Sequence, residues 1–286
     1  MRGSRVSAMR PRGMSVNMAG DGVVPENVGV VLLAGGKGTR MKASMPKQFL
    51  PLLGRPVFLR SLDIFTAFPA RTVSNIVIVL DESFRSEYRR IVEDDDRISW
   101  ADPGDERQDS VFNGLQGIPD DCSVVAIHDA ARPLVTEEEV LSVLADGYKY
   151  GAAVLGVPMK ATVKESENGR FVLRTIPRSR LWEVHTPQVA RKELLMAGFK
   201  KVAEEGLEVT DDVSVVEALG EPVRLTKGEY TNIKLTTPDD MNVAEHVLRE
   251  RGVDEKENFV KTDPVDRSYP CPAERCVDKL HGGDII

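Results

Sequence analysis

The chain has 286 residues, enough for one large α/β domain or for two small domains. A hydrophobic content of 41% and a charged content of 29% are ordinary for a globular protein, and a net charge of -7 argues against binding nucleic acid through overall charge. No apolar run reaches the roughly 18 residues of a membrane span, and the three cysteines are too few for a disulfide scaffold. We therefore expect neither nucleic acid nor a membrane among the partners.

The N-terminal segment, residues 1–27, reads as a leader. Its first 20 residues hold four arginines, three serines and no acid. That composition is typical of a transit peptide or its remnant, and a disordered leader is the alternative.

Strand-like and helix-like stretches alternate between residues 28 and 250, which we interpret as the folded domain. Buried strands are expected at residues 29–33, 75–80, 124–127, 151–157 and 223–226. Helices are expected at residues 57–68, 81–92, 191–204 and 211–219, and others begin at Ser110, Thr136 and Thr237. This βαβα order predicts the α/β class, with a mostly parallel sheet and helices on both faces.

One segment, at about residues 160–176, interrupts this order. Asn168-Gly169 stands between two β-prone runs, which is a strong signal for a β-hairpin. We expect it to project from the domain as an antiparallel arm. The last residues, 251–286, are charged and rich in proline without apolar periodicity, and we predict a disordered tail.

The richest segment for function runs from Leu32 to Phe49. An apolar run ends in Ala34, Gly35 and Gly36, and four cations but no acid follow, at Lys37, Arg40, Lys42 and Lys47. Glycines allow a ligand to approach the backbone closely, and cations beside bare N–H groups suit a polyphosphate. The dinucleotide and P-loop fingerprints both fail here, because Met41 stands where a small residue is needed and no Gly-Lys-Ser/Thr follows.

A second constellation, His128-Asp129-Ala130-Ala131-Arg132-Pro133, ends a predicted strand. In doubly wound sheets ligands lie at the carboxyl ends of strands, so Asp129 should face the same crevice as Gly36. A carboxylate beside a triphosphate is suited to Mg²⁺. The alternative is a local turn in which Asp129 pairs with Arg132.

The segment 103–110 leads into a helix, whose free N–H groups attract anions.

Seven ordered segments together resemble the family of 2-C-methyl-D-erythritol 4-phosphate cytidylyltransferases, in their plant or algal plastid form. The segments are LLAGGKGTRM, MPKQF, PGDERQDSV, HDAARP, LWEVHTPQ, TDDVS and TNIKLTTPDD. The resemblance implies a Rossmann-like fold, transfer of a cytidylyl group from CTP, Mg²⁺ or another divalent cation as cofactor, and a homodimer interlocked by the arm. It also implies the plastid stroma, or the cytoplasm if the leader is not a transit peptide.

The resemblance implies four sets of site residues. Arg40 and Lys47 would be the catalytic cations, and Asp129 would face the metal. Arg178, Thr186 and Lys234 would bind the phosphate of the acceptor. The nucleotide would contact Ala34, Gly35, Gly36, Gly104, Asp105, Ser110, Ala130 and Arg132.

Other functions stay open from the residues alone. A ribitol 5-phosphate cytidylyltransferase would share the nucleotide machinery and differ in the polyol pocket. A sugar-1-phosphate nucleotidyltransferase fits the Lys47 region but not the HDAARP segment, and a dehydrogenase lacks its fingerprint. A non-catalytic nucleotide-binding module is disfavoured because both cations and Asp129 are present.

Overall fold

A seven-stranded sheet forms the centre of the molecule in a computed structural model that describes residues 23–36 and 46–253. The strands of this sheet are β1 (Val28–Leu33), β4 (Val73–Val79), β5 (Ile98–Ala101), β6 (Val124–Asp129), β7 (Ala152–Pro158), β10 (Trp182–Ala190) and β11 (Arg224–Lys227). Their order is β11-β7-β10-β6-β1-β4-β5. Most of the predicted leader and tail lies outside the described residues.

Helices cover both faces of the sheet. They are α1 (Val57–Thr66), α2 (Glu82–Val92), α3 (Arg107–Gln116), α4 (Glu137–Tyr150), α5 (Lys192–Glu205), α6 (Ser214–Ala218) and α7 (Pro238–Glu250). Capping boxes begin α4 at Thr136 and α7 at Thr237, as the sequence predicts. The helix expected from Ser110 begins earlier, at Arg107, because Glu106 and Asp109 form a capping box there.

Alternation along the strands divides the core into two layers. Val30 and Leu32 of β1 pack with Phe58 and Phe65 of α1, and α2 and α4 cover the same face. Val31 faces the other way and joins a second cluster with side chains from α3, α5 and α6. Full burial of each side chain of this size stabilises the folded state by about 1.5–3 kcal/mol. The predicted α/β fold with helices on both faces is confirmed.

The strand β10 departs from the parallel pattern. It runs antiparallel to both β6 and β7. Its first residue, Trp182, therefore pairs with Pro158, at the carboxyl end of β7. This reversal brings the Trp182–Gln188 motif to the edge where the parallel strands end. Neither β10 nor β5 was predicted as a strand from the sequence.

The predicted hairpin is present as two short antiparallel strands, β8 (Val163–Glu165) and β9 (Arg174–Ile176). Gly169 lies between them with φ of 69°, a conformation that glycine adopts readily. The turn and β9 are largely exposed. A second small hairpin, β2 (Pro51–Leu52) with β3 (Arg55–Pro56), precedes α1 and packs against α7.

Candidate active site

A cavity of about 400 Å³ opens at the carboxyl edge of the sheet, where β1 and β6 end. Nine of the residues that the sequence analysis selected line it: Ala34, Gly35, Gly36, Lys47, Gly104, Asp105, Ser110, Asp129 and Lys234. The remaining lining residues are Leu33, Gln48, Glu106, Arg107, Ala131 and Thr236. The glycine loop, the segment 103–110 and the end of β6 therefore share one cavity.

The glycine loop is held in place by a side chain that follows Lys47. The buried amide of Gln48 donates to the carbonyl oxygens of Ala34 at 2.7 Å and Gly36 at 2.9 Å. On its other side the loop packs against Pro103, and a Cβ added at Gly35 would lie only 2.6 Å from the Cβ of Pro103. The loop thus needs glycine because a neighbouring loop is in direct contact.

The segment 103–110 closes on itself through Ser110. The hydroxyl of Ser110 accepts from the N–H of Gly104 at 3.0 Å and donates to the carbonyl of Glu106 at 3.2 Å. A Cβ at Gly104 would lie 2.1 Å from the Cβ of Asp109, so only glycine fits. The loop presents its backbone to the cavity beside the beginning of α3.

Asp129 is a buried carboxylate between two cations. Its Oδ1 accepts from Nη2 of Arg107 at 3.0 Å, and its Oδ2 lies 2.6 Å from Nζ of Lys234. Burial alone would raise the pKa of this carboxyl, but Arg107 and Lys234 outweigh burial and hold the pKa well below its usual range. Asp129 is therefore a stable anion at neutral pH.

The alternative pairing of Asp129 with Arg132 is wrong. Nη1 of Arg132 instead donates to the carbonyl oxygen of Asn232 at 2.7 Å. The backbone N–H of Arg132 does bond the carbonyl of Asp129, so the local turn exists without the ion pair. The two cations that do pair with Asp129 come from segments that are distant in the sequence.

Lys47 begins a short 3-10 helix, Lys47–Phe49, and its side chain reaches into the cavity. Its Nζ donates to the carbonyl of Leu235 at 2.9 Å. Lys47 is half-buried. Lys47 and Asp129 line the same cavity, as the sequence analysis requires.

Four selected residues do not line the cavity. Ala130 and Thr186 are buried, and Arg132 points to Asn232. Arg178 lies in a 3-10 helix just after β9 and donates from Nη1 to the carbonyl of Lys160 at 2.8 Å. Arg40 lies outside the described residues, so its place in the site stays a prediction.

Thr186 belongs to a chain of hydrogen bonds under the cavity. Nε2 of His128 faces the carbonyl of Arg132 at 3.1 Å and must donate to it, since a carbonyl only accepts. Nδ1 of His128 then accepts from the Thr186 hydroxyl at 3.1 Å, and that hydroxyl accepts from the N–H of Asp129 at 3.1 Å. His128 is thus structural, and burial lowers its pKa to about 4.

Comparison with known proteins bears on this site. The family model for 2-C-methyl-D-erythritol 4-phosphate cytidylyltransferase matches residues 28–250. The chain belongs to this family. The chloroplastic member from Oryza sativa subsp. japonica is 50% identical over 250 residues, which cover 87% of this chain and 82% of that protein.

Bacterial members of the family are also similar. The protein from Caldanaerobacter subterraneus is 41% identical over 231 residues, which cover 78% of this chain and 99% of that protein. The crystal structure of the Thermus thermophilus cytidylyltransferase matches with a TM-score of 0.63 at 31% identity, covering 78% of this chain and 99% of the other.

Among the residues that sequence reasoning missed, three hold the glycine loop or the charged groups of this cytidylyltransferase site in place. They are Gln48, Arg107 and Asp212, and each stands inside a quoted motif without an assigned role. Arg107 pairs with Asp212 as well as with Asp129. The available signal was a charged or amide side chain left without a role inside a segment that carries the family resemblance.

The donor set fits a magnesium ion that arrives with phosphates. Within residues 23–36 and 46–253 no group of three or more His, Cys, Asp or Glu side chains could hold a metal alone. Asp129 faces the cavity, however, and Mg²⁺ commonly takes one or two carboxylates together with phosphate oxygens. Because both Asp129 oxygens already contact cations, a metal would share or replace Lys234 there.

Proposed function

We propose that this chain transfers a cytidylyl group from CTP to 2-C-methyl-D-erythritol 4-phosphate and releases pyrophosphate, in the methylerythritol phosphate route to isoprenoids. One observation carries the proposal: Lys47, Asp129 and the glycine loop line a single cavity at the edge of the sheet where nucleotides bind in such folds. The names of the related proteins supply the acceptor.

The reaction needs no strong base. A phosphomonoester has a second pKa near 6, so the acceptor is largely a dianion at neutral pH. Its oxygen attacks the α-phosphorus of CTP. A new P–O bond forms while the bond from that phosphorus to the oxygen bridging to the β-phosphate breaks, and the electron pair leaves with pyrophosphate.

The barrier is electrostatic, because two anions must meet. An ammonium group about 4 Å from a phosphoryl oxygen is worth about 4 kcal/mol at an effective dielectric constant of about 20. In the proposal Lys47 and Arg40 supply this neutralisation, and the backbone N–H groups of the glycine loop hold the triphosphate. Lys234 leaves Asp129 to bind the acceptor phosphate, in company with Arg178. The expected phosphate contact of Thr186 is not supported, because its side chain is buried and its hydroxyl bonds His128 and the N–H of Asp129.

We propose that Asp129 and the phosphates of CTP would hold Mg²⁺. A bound Mg²⁺ would withdraw charge from the phosphates and so favour departure of pyrophosphate. The residues Gly104, Asp105 and Ser110 would face the cytidine, with Ala130 and Arg132 supporting the base of the pocket. Asp129 itself only accepts bonds, because it stays ionised at neutral pH.

A homodimer through the arm is part of the proposal. Three consecutive apolar side chains of the arm are exposed: Phe171 at 79%, Val172 at 62% and Leu173 at 55%. Such a patch is typical of an interface. Arg178 follows the arm and does not line the cavity of its own chain, so we propose that it reaches the cavity of a second copy.

We also propose import into a plastid. The rice relative is named chloroplastic, and the first 20 residues have the composition of a transit peptide. A fluorescent protein fused behind residues 1–40 should enter plastids, and the same fusion without residues 1–27 should stay in the cytosol.

No helix in the described ranges is both long enough and apolar enough for a membrane crossing.

The test of function is release of pyrophosphate by the purified full chain with CTP, Mg²⁺ and methylerythritol phosphate. Ribitol 5-phosphate and glucose 1-phosphate serve as parallel acceptors. Rapid turnover with methylerythritol phosphate supports the proposal. Tight CTP binding with no product from any acceptor would indicate a non-catalytic nucleotide-binding module, and preference for ribitol 5-phosphate would indicate the sister activity.

A further inference from the structure

Arg107, the first residue of α3, joins two carboxylates that stand on different elements. Its Nη2 lies 3.0 Å from Oδ1 of Asp129 and 2.8 Å from Oδ2 of Asp212. Its Nη1 also bonds Oδ1 of Asp212. The guanidinium therefore bonds Asp212 through both Nη1 and Nη2, and Nη2 also bonds Asp129.

Asp212 is a fixed anchor for this guanidinium. It is 2% exposed and does not line the main cavity. The adjacent residues are tied to β10, because Gln188 donates to the carboxylate of Asp211 at 3.1 Å and accepts from the N–H of Val213 at 2.9 Å. The TDDVS motif, which had no role, thus connects β10 to the beginning of α3.

We propose that Arg107 is a positioning residue for the transfer reaction: anchored by Asp212, it fixes the Asp129 carboxylate toward the cavity. The need arises from Lys234, the other cation on Asp129. When Lys234 turns to a phosphate, Asp129 keeps its orientation only if Arg107 stays in place. The inference rests on the proposed roles of Asp129 and Lys234.

Only arginine is suited to bond Asp129 and Asp212 at the same time. A guanidinium presents several N–H groups in a rigid plane and can hold two carboxylates at once. A lysine has a single nitrogen at the end of a flexible chain. Arg107→Lys should therefore keep the charge and most of the fold but loosen Asp129.

The decisive experiment compares Arg107→Met with the double variant Arg107→Met/Asp212→Leu. Removing the cation alone leaves a buried carboxylate without its partner and should lower the melting temperature strongly. Removing both groups should restore most of that temperature. Turnover of the double variant should stay roughly 30- to 100-fold below wild type, because a misplacement of about 1 Å can cost that much.

Arg107→Lys is the second test, in case the double variant does not regain stability. It should fold, lower kcat by about 10-fold or more and leave the KM for CTP close to wild type. Arg55→Lys is the matched control, because Arg55 makes a two-nitrogen pair with Asp63 away from the cavity. That control should retain wild-type kcat.

Two outcomes would overturn the inference: wild-type turnover of the restored double variant, or wild-type kcat of a folded Arg107→Lys. Either would mean that Arg107 only neutralises Asp212. Failure of the proposed function is seen separately, as no pyrophosphate from the wild type or as full turnover of Asp129→Asn. An inactive Asp129→Asn beside a fully active double variant would reject the inference alone.

Discussion

Nζ of Lys234 lies 2.6 Å from Oδ2 of Asp129, so the side chain expected to bind the acceptor phosphate is paired with the carboxylate expected to face the metal. The two opposite charges stay together, and both side chains are at least partly buried. A phosphate and a divalent cation would each compete for one member. Substrate binding should therefore separate this pair.

Lys234→Met should raise the KM for methylerythritol phosphate more than the KM for CTP. A hydrogen bond to a charged group is worth about 1.5–3 kcal/mol, so the change should be roughly 10- to 100-fold. Steady-state kinetics with each substrate varied in turn makes the measurement. Lys227→Met, on the exposed side of β11, is the control and should match wild type. If wild type and Lys234→Met had equal KM values for methylerythritol phosphate, Lys234 would not belong to the acceptor site.

Gln48→Met should weaken CTP binding without unfolding the protein. Methionine keeps the length of the side chain but cannot donate to the carbonyls of Ala34 and Gly36. Two such bonds are worth about 1–3 kcal/mol together, so we expect the dissociation constant for CTP to rise by about 10-fold. Calorimetry measures this directly, with the exposed Gln116→Met as control. Unchanged CTP affinity would show that the loop holds its shape alone.

Stability should fall as the pH drops below about 6.5. Burial holds the pKa of His128 at about 4, below the usual value near 6.5. The unfolded chain therefore binds more protons between these values, and each such histidine costs at most about 1.4 kcal/mol per pH unit. Stability is fully present above pH 6.5 and declines toward pH 4.

Urea denaturation at pH 7.5, 6.0 and 5.0 measures this slope. His128→Gln should flatten it in part, because burial lowers the pKa of His185 to about 4 as well. His246→Gln is the control, since that ring is largely exposed on α7. An identical slope in wild type and His128→Gln would contradict the buried neutral state of His128.

Mixed dimers should reveal whether Arg178 acts across an interface. Lys47→Met and Arg178→Ala should each be nearly inactive as pure proteins. When the two are unfolded and refolded together, a heterodimer regains one complete site if each arm serves the partner's cavity. Random pairing then restores roughly a quarter of wild-type activity. Light scattering confirms the dimer, and no recovery in the mixture would place Arg178 outside the partner's site.

Much of the fold could be predicted because buried parallel strands are continuous apolar runs. Such runs correspond to β1, β4, β6 and β7. The strand β10 could not be recognised in this way. It carries the polar residues His185, Thr186 and Gln188, which are buried by long-range contacts with β6 and Asp211 rather than by an apolar pattern.

The location of the site could be predicted, but its pairing could not. Strand ends meet at one edge of the sheet, and that rule correctly predicted that Gly36 and Asp129 share a cavity. The partners of Asp129 depend on where Arg107 and Lys234 arrive after the chain has folded. Spacing along the sequence offered Arg132 as the alternative partner, but the Arg132 side chain bonds the carbonyl of Asn232.

The most direct test of the account is the turnover of Lys47→Met, measured as pyrophosphate release at saturating CTP, Mg²⁺ and methylerythritol phosphate. Loss of a well-placed charge contact commonly costs about 10²–10³ in rate, and we expect a fall of that size with an unchanged circular dichroism spectrum. Lys200→Met, which removes an exposed lysine of α5, should retain full activity. A folded Lys47→Met with near wild-type turnover would contradict the claim that cations in this cavity neutralise the reacting phosphates.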